Sequence, residues 1–116
     1  MKKIIIAVIL FTAVSIHAQK KKKNYIEKRA KTISEHIITE MNLTKNQAIF
    51  LEDILYEKYS SNASKIRGKN LSKEEKKEIY RAAFIETRKK LSEQFSKKEV
   101  TQISKLERLK QKELNN

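Results

Sequence analysis

Few residues in this chain of 116 could do chemistry, and their types restrict what chemistry is open to it. It has no Cys, so a thiolate nucleophile, a disulfide framework, a thiolate metal site and a lipid-anchored Cys are all excluded. The histidines are His17 and His36. Glu52, Asp53 and Glu57 cluster on one stretch and could help hold a cation, but His36 beside Ile37 and Ile38 reads as a boundary residue rather than a ligand. With a single Gly there is no Gly-rich phosphate loop, and no Ser-His-Asp arrangement or acid and base pair stands at motif spacing. These residues point to a protein that is not an enzyme and that carries no metal or other cofactor.

The side chains that do stand in a repeating pattern are hydroxyls and carboxyl or amide groups three residues apart. The pattern occurs in Leu43-Thr44-Lys45-Asn46-Gln47, Leu71-Ser72-Lys73-Glu74-Glu75 and Phe95-Ser96-Lys97-Lys98-Glu99. Each is a capping box. The Thr or Ser oxygen accepts from the backbone N–H three residues on, and the Gln or Glu accepts from the N–H of the cap residue, satisfying donors that a first helical turn leaves orphaned. The apolar residue ahead of each cap can staple onto the fourth helical residue, as Phe95 can onto Val100. Three Asn-x-Ser/Thr sequons begin at Asn42, Asn62 and Asn70. Two of them end on the caps Thr44 and Ser72, so they read as by-products of helix starts rather than glycosylation sites.

The elements these caps begin are helices throughout. Ile26, Ala30, Ile33, Ile37 and Met41 recur at helical spacing, which predicts an amphipathic helix over about 24–41. A second begins at Thr44 with Ala48, Leu51, Ile54, Leu55 and Tyr59 on its stripe, widened by Ile49 and Phe50; it fades near Ser60-Ser61-Asn62, and Gly68 ends whatever persists. A third is expected over about 72–94, with Tyr80, Phe84, Leu91 and Phe95 on its stripe and a weak seam at Thr87 and Arg88. A fourth carries Val100, Ile103, Leu106 and Leu109 before a charged end. No Pro and no run of period-2 alternation argue for any strand, so the fold class is all-α, one domain over 24–114.

Ahead of this domain, Lys2 and Lys3 precede an apolar run from Ile4 to Ile16, and His17-Ala18 leads into polar chain. That layout is a signal peptide over 1–18, cut after Ala18. These thirteen residues, polar only at Thr12 and Ser15, cover roughly 20 Å of helix, short of the ~30 Å needed to span a bilayer. Lys20 to Lys23 then form a basic disordered tail over 19–23; positive charge there resists translocation, and it could instead meet anionic lipid. The expected location is periplasmic or secreted. The whole chain has a formal charge of +13, and removal of Lys2 and Lys3 with the leader leaves 25 basic against 14 acidic residues. Such an excess implies acidic partners or a solvated face that keeps the protein soluble. Export and the lack of any DNA- or RNA-binding signature argue against nucleic acid as the partner.

Leu43-Thr44-x-x-Gln47 matches the LTxxQ signature, and in an exported, basic, helical chain of this size it resembles the Spy/CpxP-like family of periplasmic proteins. That family carries the motif twice; here the second copy is the degenerate Phe95-Ser96-x-x-Glu99. The resemblance implies a four-helix antiparallel hairpin that pairs into a cradle-shaped homodimer. Pairing would cover more of the thin apolar stripes, although the net charge opposes it. It also implies ATP-independent holding of unfolded or misfolded envelope proteins, or, as the alternative, an envelope-stress or metal-responsive regulator that binds a membrane sensor protein. On this reading Ile33, Ile37, Arg67, Arg81, Phe84 and Arg88 are the candidate client-binding residues.

Overall fold

A computed structural model describes residues 25–116. The expected signal peptide, its cleavage site and the basic tail lie outside the described residues. Four helices follow in order: α1 over 25–41, α2 over Lys45–Ile66, α3 over Lys73–Leu91 and α4 over Lys97–Asn115. The fold is all-α, with sequence neighbours packed antiparallel.

All three capping boxes form. Thr44 Oγ1 accepts from the Gln47 N–H at 3.2 Å while Gln47 Oε1 accepts from the Thr44 N–H at 3.0 Å. The same reciprocal pairs close at Ser72 with Glu75 and at Ser96 with Glu99. The helix ends are as specific as the starts. Asn42 follows α1 in the left-handed region at φ 52°, and the Leu43 N–H turns back onto the Ile38 carbonyl at 3.1 Å. This is the hydrogen bond of a Schellman cap, and asparagine tolerates its backbone better than most residues. The sequon at Asn42 is therefore a helix stop joined directly to a helix start. At the other end of α2, Gly68 takes φ 71°, as a residue without a Cβ does readily.

The core is one cluster drawn from all four helices. α1 contributes Ile26, Ala30, Ile33 and Ile37; α2 contributes Leu51, Ile54, Leu55 and Tyr59; Leu91, Phe95, Val100 and Ile103 come from the end of α3, the junction and α4. The Phe95 ring sits 6.1 Å from that of Phe50, so the tight turn between α3 and α4 is anchored on the first half of α2. Phe95 and Val100 are both buried, in the positions of the expected staple.

Two stripes differ from the expectation. α2 continues through Ser60-Ser61-Asn62 to Ile66, because Ala63 and Ile66 extend its apolar row. α3 ends at Leu91, three residues early, and what it buries is Thr87 and Leu91 rather than Tyr80 and Phe84. Its first half carries no buried residue, and Tyr80 and Phe84 are 54% and 46% exposed. Thr87, read from the sequence as an interruption of the stripe, is the inward position.

Candidate functional site

α3 and α4 meet near their junction and part beyond it. The last tie between their facing sides is Arg88, whose guanidinium donates to Ser104 Oγ at 3.2 Å and to Thr101 Oγ1 at 3.3 Å. Past that point the two helices leave an open cleft of about 1030 Å³, floored by the second half of α2 and closed at one end by the start of α1. The parting follows from composition. The inner side of α3 here offers Tyr80 and Phe84, and the facing side of α4 offers Lys105 and Arg108, which have no apolar row to bury against each other.

One wall of the cleft is a buried polar cluster. The inward row of α4 runs Val100, Ile103, Glu107, Gln111, apolar at its start and polar at its end. Glu107 is only 5% exposed. Its Oε2 accepts from Tyr59 Oη at 2.7 Å, from Lys58 Nζ at 2.9 Å and from Gln111 Nε2 at 3.1 Å, and Gln111 also donates to Tyr59 Oη at 3.0 Å. A carboxylate so far from water is tolerable because an ammonium neutralises it and neutral donors complete its shell. Burial first, and then the adjoining Glu107 charge, hold the Tyr59 hydroxyl far above the usual phenol range, so Tyr59 remains a donor. One turn further along α4, Asn115 Oδ1 accepts from Arg29 Nη2 at 3.0 Å, tying the start of α1 to the end of α4.

The remaining cations of the cleft are not neutralised in this way. Among the described residues, Arg29, Arg67, Arg88, Lys105 and Arg108 form no ion pair within 4.0 Å. Arg88 is positioned without a carboxylate, by the two hydroxyls and by Phe84, whose ring centroid lies 5.5 Å from its Cζ. Tyr25, Tyr80 and Phe84 add exposed aromatic surface to the lining. The arrangement offers positive charge and aromatic area together.

The candidate residues divide accordingly. Phe84, Arg67 and Arg88 come together in the cleft. Arg81 is exposed on α3 and is not part of its lining. Ile33 and Ile37 are corrected: both are fully buried, so they belong to the core that holds α1 to its neighbours and present no surface for a client in this structure. Thr44 with Gln47 and Ser96 with Glu99 close helix caps, Phe95 lies in the core and Leu43 packs against it. In α2, Glu52, Asp53 and Glu57 gather no ligand set, and no group of three His, Asp or Glu among the described residues could hold a metal ion. Glu57 instead accepts from Lys90 at 2.7 Å, a contact that raises the lysine's pKa. Among the described residues no helix is long and apolar enough to cross a membrane.

Glu107, Tyr25 and Arg108 are site residues that apolar periodicity does not mark, and Tyr59 and Tyr80, which it does mark, read only as stripe residues. The available signal was Glu107 itself, standing four residues after Ile103 and seven after Val100, in line with the buried row. No family model, curated protein or solved structure matches this chain. The likeness to the Spy/CpxP-like family therefore rests on Leu43, Thr44 and Gln47 and on the helical context around them.

Proposed function

We propose that this chain is an exported, ATP-independent holding protein that transiently binds unfolded or misfolded envelope proteins. The observation that carries the reading is the open cleft in which Tyr80 and Phe84 stand exposed beside cations without carboxylate partners. Exposed apolar surface gives a client's side chains something to touch, and unneutralised charge attracts acidic segments before contact. Both contacts are weak and unspecific in sequence, which suits transient capture of many chains. The helix caps hold the walls in place and take no part in binding.

A second copy is proposed to pair with the first, as the family resemblance implies. Ile49 and Ile85 stand 53% and 61% exposed outside the cleft and supply apolar surface for such a seam. In this reading client capture and self-association use different residues.

The test is light scattering from a chemically unfolded model protein, without ATP, at one to several equivalents of this chain. Suppression should saturate near stoichiometric amounts and weaken with added salt, since exposed charges are screened over ~8 Å at physiological ionic strength. Tyr80→Ser with Phe84→Ser should abolish most of it while changing stability by less than about 1 kcal/mol, because both side chains are half exposed. No suppression by a folded protein in large excess, or suppression untouched by the double substitution, would refute the proposal.

A further inference from the structure

Along the helix interiors that wall it, the cleft offers a ligand no free backbone groups, because their N–H and C=O are already paired within the helices; only the helix ends at Ile66 and Asn115 differ. What this cleft offers instead is donors and apolar surface. The donors are cationic: Arg88 has five N–H groups in a fixed fork, of which Ser104 and Thr101 engage two, and Arg108 and Lys105 lie one turn and less along the same face of α4. The one carboxylate among the described residues of the lining, Glu107, is already occupied by Lys58, Tyr59 and Gln111. The apolar part is a row on α2, Tyr59, Ala63 and Ile66, with Phe84 and Tyr80 on the α3 side. A ligand complementary to Arg88, Arg108 and the row on α2 accepts hydrogen bonds at a head group and is apolar beyond it, while Arg29 and Arg67 remain as further cations of the lining. An extended peptide needs partners or water for every backbone amide, whereas an acyl chain needs none.

We propose that the cleft binds a single-chain anionic amphiphile, its phosphate or carboxylate head on Arg88 and Arg108 and its acyl chain along Tyr59, Ala63, Ile66 and Phe84. Charge complementarity selects this occupant. The head meets a guanidinium already oriented by two hydroxyls and an aromatic ring, so little ordering is left for binding. A volume of about 1030 Å³ stands at the upper end of ligand clefts, which hold roughly 300–1,000 Å³, and leaves room for one chain with its head solvated. This goes beyond the holding activity, which does not require it, although an amphiphile in the cleft would compete with a client there.

The experiment is calorimetric titration of the purified full chain with dodecyl phosphate below its self-association concentration. Laurate, dodecyl maltoside, hexyl phosphate and inorganic phosphate are run alongside. Dodecyl phosphate or laurate should saturate at one per chain, the stronger of the two identifying the head, while the maltoside and inorganic phosphate bind at least tenfold more weakly. Arg88→Gln should weaken binding about tenfold and Arg88→Lys less; Arg108→Gln, on the exposed face of α4, supplies the same comparison if Arg88→Gln disturbs the fold. Phe84→Ser should weaken the dodecyl ligand more than the hexyl one. Equal binding of the maltoside, non-saturating uptake, or indifference to both arginine substitutions would overturn the proposal. So would binding of an acidic amphipathic peptide without dodecyl phosphate binding, which would assign the cleft to peptide. Scattering suppression measured on the same samples separates this failure from failure of the holding activity.

Discussion

Replacing Glu107 by Gln removes one charge from the cluster between α2 and α4 and very little volume. The new amide can still accept from Tyr59, so the loss falls on Lys58, whose side chain is 13% exposed and whose ammonium is 2.9 Å from the carboxylate. Breaking a fully buried ion pair from one side costs about 3–5 kcal/mol, because the other charge is stranded. Lys58 borders the open cleft, and its aliphatic stem can carry the ammonium out to water, which reduces the cost to about 2 kcal/mol. Total stabilities of small domains run about 5–15 kcal/mol, so this is a large fraction. It corresponds to a fall in Tm of roughly 8–16 °C for a domain of this size. Urea unfolding followed by helical circular dichroism measures it directly. Adding Lys58→Met to Glu107→Gln removes the stranded charge and should restore at least half of the loss. A single variant within about 0.5 kcal/mol of the parent, or a double variant as unstable as the sum of its singles, would show that the pair is not coupled as its geometry implies.

Tyr59 gives a pH dependence of defined sign. Its folded-state pKa is raised, so its contribution is complete below the ordinary tyrosine value near 10 and is lost as pH rises beyond it, by up to about 1.4 kcal/mol per pH unit; Tyr59→Phe should flatten that limb of the unfolding profile relative to the parent. Ser96→Ala should lower global stability by about 1 kcal/mol, whereas Ser72→Ala should mainly raise amide exchange in the first turns of α3, which carry no buried side chain. The Ser72 backbone amide and hydroxyl lower the pKa of Glu75, so its NMR titration should lie at lower pH than in Ser72→Ala, and the stability it adds should fade as pH falls through that depressed value. Gly68→Ala should cost about 1 kcal/mol in urea unfolding, all of it from the backbone at φ 71°, since nothing lies within 4 Å of an added Cβ.

The local grammar of the chain was legible. A hydroxyl with a carboxyl or amide three residues later marks each of the helix starts at Thr44, Ser72 and Ser96, and such boxes depend only on neighbouring residues. The α1 stripe was equally clear because its apolar residues keep one helical period and all face inward, Ile33 and Ile37 included. A well-kept stripe in a thin domain is what the core is made of, so Ile33 and Ile37 offer no surface to a client. The face of α3 could not be read. Its inward residues are Thr87 and Leu91 while its larger apolar residues, Tyr80 and Phe84, point to the cleft, and periodicity assigns the larger residues to the inside. Nothing local distinguishes an apolar row that is covered from one that is not. The difference lies in what α4 places opposite.

That dependence on α4 links the fold to the proposed binding. Had residue 107 been apolar, the row Val100, Ile103, 107 and 111 could have continued the core toward Tyr59, and α3 would have had an apolar wall to close against. With Glu107 and Gln111 there instead, the inner row ends in a polar cluster that satisfies itself through Lys58 and Tyr59 and leaves nothing for Phe84 or Tyr80 to cover. Arg88 then sets the limit of closure, because its guanidinium stands between α3 and the hydroxyls of Thr101 and Ser104. The cleft is thus a consequence of where the apolar row of α4 stops. Its exposed aromatics follow from the same stop, as does its surplus of unpaired cations, since Glu107, the one carboxylate among the described residues that line it, is committed to the wall.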